Sequence, residues 1–317
     1  MKTRTLHSGI AALLLCASLF GQNPPAQPAA AASAANDPTS KLIEQARKTN
    51  SEGKHDEAIA LYQQALQANP KSYQAELGIG AALDLKGQYD EARQHIQKAI
   101  DMAPEQAKLG AMRTMAISYA FERKASDAAK YEEPVFEAQL AKKAYFDAGE
   151  AANELARIYI ESGDLDNAAK WYKLGHDMGL REPNISQARK DLWEFRWEHA
   201  QARIAARRGQ KDEAQKHVHA AKAILDKGTN PDQARFFPYL EGYVAFYAGD
   251  YKTAIDDLKT ADQRDPFILV LLAQAYEKSG DKQQATEYYR KVLASSGHNP
   301  TNAFARPLAK EKLGSTS

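Results

Sequence analysis

The side chains with the most evident binding chemistry lie between Phe236 and Tyr247. Phe236, Tyr239, Tyr243, Phe246 and Tyr247 recur at i, i+3, i+7 and i+10 to i+11, which puts them in one stripe on a helix. Aromatic faces of this kind pack the apolar side chains of a partner, and the upstream arginines Arg196, Arg203 and Arg207 carry planar forks that hold carboxylates bidentately. An alternative remains open: the rings fill the gap against the next helix, and the arginines pair with Glu194, Glu198 and Glu241.

Catalytic and metal chemistry has weaker support. His217 and His219 are two residues apart, so on a helix they point to different faces and read as solvated rather than as metal ligands. Glu132-Glu133 and Asp256-Asp257 read as a soluble helix face. Gly78-Ile79-Gly80 begins like a dinucleotide loop, but it has no strand before it and no third glycine. No phosphate loop, HExxH pair or GxSxG elbow occurs. The expectation is a non-catalytic chain with no cofactor and no metal.

The elements that carry these residues come from a repeat. EGKHDEAIALYQQALQANP (Glu52 to Pro70) and KGQYDEARQHIQKAIDMAP (Lys86 to Pro104) share a glycine turn, two alanines and a final proline at an offset of 34 residues. The first copy has Gly53, Ala58, Tyr62, Ala65 and Pro70; the second has Gly87, Ala92, Ile96, Ala99 and Pro104. Spacings of three and four put the alanines and the large residue on one helix face, and proline ends the helix because it has no backbone donor. Small residues let two antiparallel helices approach closely, and the remaining apolar face must stack on another hairpin.

With its period and its small-small-large-proline signature, the chain resembles the tetratricopeptide repeat family from about Thr39 to Leu313. Gly80 and Leu83 fit the first helix of the second copy. Ala116, Tyr119, Ala125 and Ala128 form a degenerate third copy without a glycine turn and with Pro134 in mid-helix. The fourth has Ala156, Tyr159, Gly163, Ala168, Tyr172 and Gly175, and its text DNAAKWYKLGHDMG is also similar to Sel1-like repeats. A long helical stretch from Asn184 to Arg208 turns at Gly209 into Ala214, Val218 and Ala221. Gly242 to Pro266 and Ala273 to Val292 supply the sixth and seventh copies. The last segment reads as a capping helix with Lys310 and Lys312 at a solvated end. The implied fold is an all-α, right-handed superhelical solenoid of about seven antiparallel helix hairpins plus the cap over residues 39–313, with a tail at 314–317.

In that family the first helix of each hairpin lines a concave groove. Counting back from the repeat's alanines, the resemblance places Phe236, Tyr239, Tyr243, Phe246 and Tyr247 in the groove. In the fifth copy it places Arg196, His199, Arg203 and Arg207 there, and in the fourth Asn153 and Arg157. The family's carboxylate clamp for chaperone tails is not matched, because Ile43 and Arg47 stand where lysine and asparagine are expected.

Composition limits the partner class. Lys plus Arg number 42 against 41 Asp plus Glu, so no whole-molecule field favours nucleic acid or an anionic membrane. Residues 1–21 read as a signal peptide: Lys2 and Arg4 precede the apolar run Ile10 to Phe20, shorter than the roughly 20 residues of a membrane-spanning helix. The single cysteine, Cys16, follows Leu15 rather than the small residue usual in a lipoprotein signal. Residues 22–38 are a Pro/Ala-rich flexible linker. The chain is expected to be an exported, periplasmic or secreted, protein- or peptide-binding scaffold with no transmembrane segment after cleavage. The alternatives are an accessory subunit of a cell-envelope complex and, more remotely, a hydrolase using a groove carboxylate pair.

Overall fold

In a computed structural model, which describes residues 38–314, the chain is helical throughout and has no strand among the described residues. The signal, Cys16, nearly all of the linker and most of the tail lie outside the described residues. Hairpins form in chain order: α1 (Pro38–Ser51) with α2 (His55–Ala68), α3 (Tyr73–Lys86) with α4 (Tyr89–Met102), and α5 (Glu105–Phe121) with α6 (Ala125–Ala141). They continue with α7 (Tyr145–Ser162) and α8 (Leu165–Gly179), then α9 (Gln187–Arg207) and α10 (Lys211–Leu225). A 3-10 segment (Pro231–Phe236) leads into α11 (Phe237–Ala248) and α12 (Tyr251–Thr260); α13 (Pro266–Ser279), α14 (Lys282–Leu293) and the final α15 (Pro300–Gly314) complete the solenoid.

The repeat residues are the packing residues. Ala58, Tyr62 and Ala65 are buried in α2, and Ala92, Ile96 and Ala99 in α4. Gly80 marks the tight crossing: a Cβ there would lie 2.5 Å from Ile96 Cγ1 and 2.9 Å from the Ala92 carbonyl. The third hairpin turns without glycine, with Arg123 left-handed at φ 58°. Its guanidinium holds the backbone carbonyl of Glu161 and reaches that of Phe304 at 3.5 Å, so a long side chain at this turn ties three parts of the chain together. Pro134 does not interrupt α6; burial of Glu132, Val135 and Phe136 on that helix keeps it continuous around the missing donor.

The C-terminal helix departs from the expected solvated end. It packs on α13 and α14 and crosses to α5 and α7 on the far side of the superhelix. Lys310 Nζ donates to the Leu85 and Lys86 carbonyls at 3.1 and 2.7 Å, and Arg306 Nη2 donates to Leu85 O at 3.2 Å. Lys312 is also engaged, 2.7 Å from Glu277 Oε1. His298 Nε2 lies 2.7 Å from Asp84 Oδ2, whose other oxygen accepts from Ser118 at 2.8 Å. The helix thus bridges hairpins far apart in sequence, with Phe304, Ala305 and Ala309 buried beneath it.

If α15 belongs to the core, Phe304→Ala lowers the unfolding free energy by about 3–5 kcal/mol, while Glu311→Ala on its exposed side stays within about 0.5 kcal/mol. Urea titration of the two variants checks this; equal midpoints would make α15 a dispensable cap.

Candidate functional site

Closure by α15 leaves a cavity of about 350 Å³ inside the superhelix, at the small end of the range for ligand sites. α7 contributes Phe146, Glu150, Asn153, Glu154 and Arg157, a run whose steps of three and four keep one helix face inward. α9 contributes Arg196, His199 and Arg203 on the same periodicity. Phe236 and Tyr239 enter from the 3-10 segment and α11, Arg113 from α5, and Asp265 and Ile268 from the start of α13. Asn299, Pro300 and Thr301, at the entry to α15, complete the wall.

The residues named from sequence separate into two groups. Asn153, Arg157, Arg196, His199, Arg203, Phe236 and Tyr239 line the cavity together. Arg207, Tyr243, Phe246 and Tyr247 lie beside it in a continuing stack, with ring centroids 5.8 Å apart for Tyr239–Tyr243, 4.7 Å for Tyr243–Tyr247 and 5.1 Å for Phe246–Tyr247. Arg207 closes this stack by donating to Tyr247 Oη at 3.2 Å and lying 3.4 Å from Glu161 Oε2. Tyr243 is fully buried, so it is core.

The proposed arginine partners differ from those found. Glu194 lies 3.2 Å from His176 Nε2, and Glu198 lies 2.5 Å from His217 Nδ1. Arg196 instead pairs with Glu150 of α7. His217 is therefore half-buried and held by Glu198 rather than freely solvated, whereas His219 is exposed. Glu132 also contradicts its expected place on a soluble face: it is fully buried, with Arg113 Nε 3.7 Å from its Oε1, while Glu133 is exposed. Arg113 donates to Glu154 at 2.5 Å, so one guanidinium serves two carboxylates.

The electrostatics change along the cavity. Around Arg113 and Arg196 charge is paired, although burial still pushes the Glu150 carboxyl up. Two turns further along α9, Arg203 donates to Tyr172 Oη at 2.7 Å and to the His199 carbonyl at 3.4 Å, both neutral acceptors. Arg157 lies over the rings of Phe267 and Phe304, at 5.4 and 5.7 Å. Burial, then the charges of Arg203 and Arg157, pull His199 well below the ordinary histidine value, so its ring is neutral at physiological pH.

Sequence reasoning missed Arg113, Phe146, Glu150 and Glu154. Phe146 and Glu150 had a usable signal, since they stand two turns and one turn before Asn153 on the stripe already chosen for α7. Arg113 had none, because the third repeat is too degenerate to count from.

Profiles described as tetratricopeptide repeat match residues 50–115, 149–175 and 239–300. The chain belongs to the tetratricopeptide repeat family. No curated protein matches it significantly in sequence. Among solved structures, it is similar to a tetratricopeptide repeat protein from Parabacteroides merdae, with a TM-score of 0.51 and 15% identity over 87% of this chain and 97% of the other. It is also similar to the apo form of RapI, with a TM-score of 0.54 and 12% identity over 87% and 99%. These likenesses concern the fold. Tetratricopeptide repeat arrays are protein-interaction scaffolds, and in this one the last helix returns to pack on α5 and α7.

Burial, then the charge of Glu154, hold the Glu132 carboxyl well above its ordinary 4.5, against the pull of Arg113. The folded chain therefore binds this proton more tightly than the unfolded chain, and stability is lost as pH rises from the ordinary value through the raised one. Glu132→Gln removes that loss. Its urea midpoint should exceed the parent's at about pH 8, with the gap closing toward pH 5; a gap independent of pH contradicts the assignment.

Proposed function

We propose that this chain is an exported, non-catalytic scaffold that binds a protein or peptide at the mouth of the cavity. The observation that carries the reading is the opposed pair at that mouth: Asp147 on α7 and Arg235 before α11 are both exposed, and neither forms an ion pair among the described residues. Exposed charges of opposite sign on the cavity lining suit a partner segment that carries both signs and enters in one direction. Support for export comes from the basic start and apolar run of residues 1–21.

The carboxylates offer little support for hydrolysis. Glu150 and Glu154 are each tied to an arginine, which suits a fixed structure better than a proton relay. Ser118 and His298 both bond Asp84, so the carboxylate stands between them and the histidine is not the group beside the serine hydroxyl, unlike the arrangement of a serine–histidine nucleophile.

Cross-linking in the native envelope should capture a partner. Joint charge reversal by Asp147→Arg and Arg235→Glu should reduce its yield about tenfold while changing stability by no more than about 0.5 kcal/mol, as expected for exposed sites. Undiminished capture by the double variant would move the partner to another face. Recovery of the chain with its first 21 or so residues intact, from a cytoplasmic fraction alone, would reject export.

A further inference from the structure

The two groups of charges that line the cavity are not equivalent, and the difference points to a ligand. Arg203 is only 6% exposed and has no carboxylate partner among the described residues. Arg157 likewise forms no ion pair there, and its Nε is buried without a hydrogen bond. Between them Tyr239, also buried, carries a hydroxyl with no partner. An arginine cannot shed its proton, so a buried, unpaired one is costly unless a counter-charge arrives, and the idle hydroxyl adds a further cost.

The nearby acids do not meet this need. Glu161 is engaged by Arg207, and Asp262 is held by Arg264 at 2.8 Å. Asp265 is engaged as the cap of α13, accepting from the Phe267 amide at 2.8 Å, and burial pushes its carboxyl up against the pull of Arg157. His199 stays neutral. Glu150 and Glu154, two turns and one turn before Arg157 on α7 and already paired, disfavour a ligand with a second negative end. Val135, Phe195, Phe236 and Ile268 supply apolar wall.

We infer that the cavity is a binding site for a small organic monocarboxylate with an apolar body. Its carboxylate is held by Arg157, Arg203 and the Tyr239 hydroxyl, and its body lies against Phe195, Phe236 and Ile268. A free acid fits better than an extended peptide because α15 fills the centre of the superhelix and Asn299 to Thr301 wall the cavity where a strand would continue. The site is independent of any protein docked at the mouth.

Calorimetric titration of the full chain with 3-phenylpropionate, its amide and the tripeptide Gly-Gly-Phe tests the inference. The acid should saturate with a Kd of about 1 mM or tighter, and the amide should bind at least about tenfold more weakly, because only the ionised form makes charge-assisted bonds. Arg157→Gln, at a half-buried position, should weaken the acid about tenfold and leave the amide unchanged, with the same thermal midpoint as the parent. Tyr239→Phe, which removes only the hydroxyl, is expected to weaken the acid severalfold and keeps the test decisive if Arg157→Gln fails to fold. Absence of saturation by the acid, equal binding of acid and amide, or binding of the tripeptide with a silent acid each overturns the proposal. The charge reversals Asp147→Arg and Arg235→Glu change partner capture independently of acid binding by the deep residues, so failure of one reading is distinguishable from failure of the other.

Discussion

The interaction on which the rest of the structure depends is the seating of Arg306 and Lys310 on the carbonyls of Leu85 and Lys86. These carbonyls belong to the last turn of α3, where no intrahelical donor remains and the helix dipole leaves partial negative charge. A cation is the suitable partner for such an end, and here the chain supplies two from its last helix. The cost is visible in the surroundings: desolvation and mutual repulsion pull the Lys310 ammonium below its ordinary value, and burial with the Arg306 and Lys310 charges lowers His55 to about 4. The junction therefore holds positive groups together against repulsion, and the hydrogen bonds together with the burial of Phe304 must outweigh it.

From this seating the cavity follows. An open array of hairpins presents a continuous inner face, and a single helix laid into it covers only part. α15 reaches α5 and α7 but leaves the inner faces of α9 and α11 partly uncovered, and there the arginines and aromatics collect. Arg157 shows how the two regions join, since it faces the cavity while lying over Phe304 of the closing helix. Movement of α15 would thus alter the pocket wall directly.

The fold was legible because its packing is local. Gly80, Ala92 and Ile96 meet within one hairpin, so the 34-residue period records their contact almost one for one. The site was half legible for the same reason: Arg196, His199, Arg203 and Tyr239 could be placed by counting back from the repeat's alanines, as the family resemblance implies. Other residues depended on contacts that no period records. Glu132 reads as surface beside Glu133, yet it faces Arg113 on the neighbouring helix; Glu150 takes Arg196 from the next hairpin; Lys310 reads as a solvated end until the chain returns to α3. Charged side chains look alike in sequence whether water or a distant residue satisfies them.

Closure across so much chain raises the question of its entropic cost. For a flexible chain each doubling of loop length adds only about 0.6 kcal/mol, so joining α15 to α3 costs about 2 kcal/mol more than joining neighbouring repeats. In the folded array the cost is smaller still, because stacked hairpins already fix where the last helix lies. The real requirement is on the superhelix itself: its pitch must bring α13 and α14 opposite α3 and α5, and any hairpin that loosened would move the two ends apart. Arg123, in a left-handed turn between the Glu161 and Phe304 carbonyls, ties the third hairpin to the fourth and to the closing helix together. A repeat array of this kind is otherwise held only by nearest neighbours. Here the third hairpin, the least regular in sequence, is a principal support of the long-range closure, which is a physical reason for its departure from the repeat.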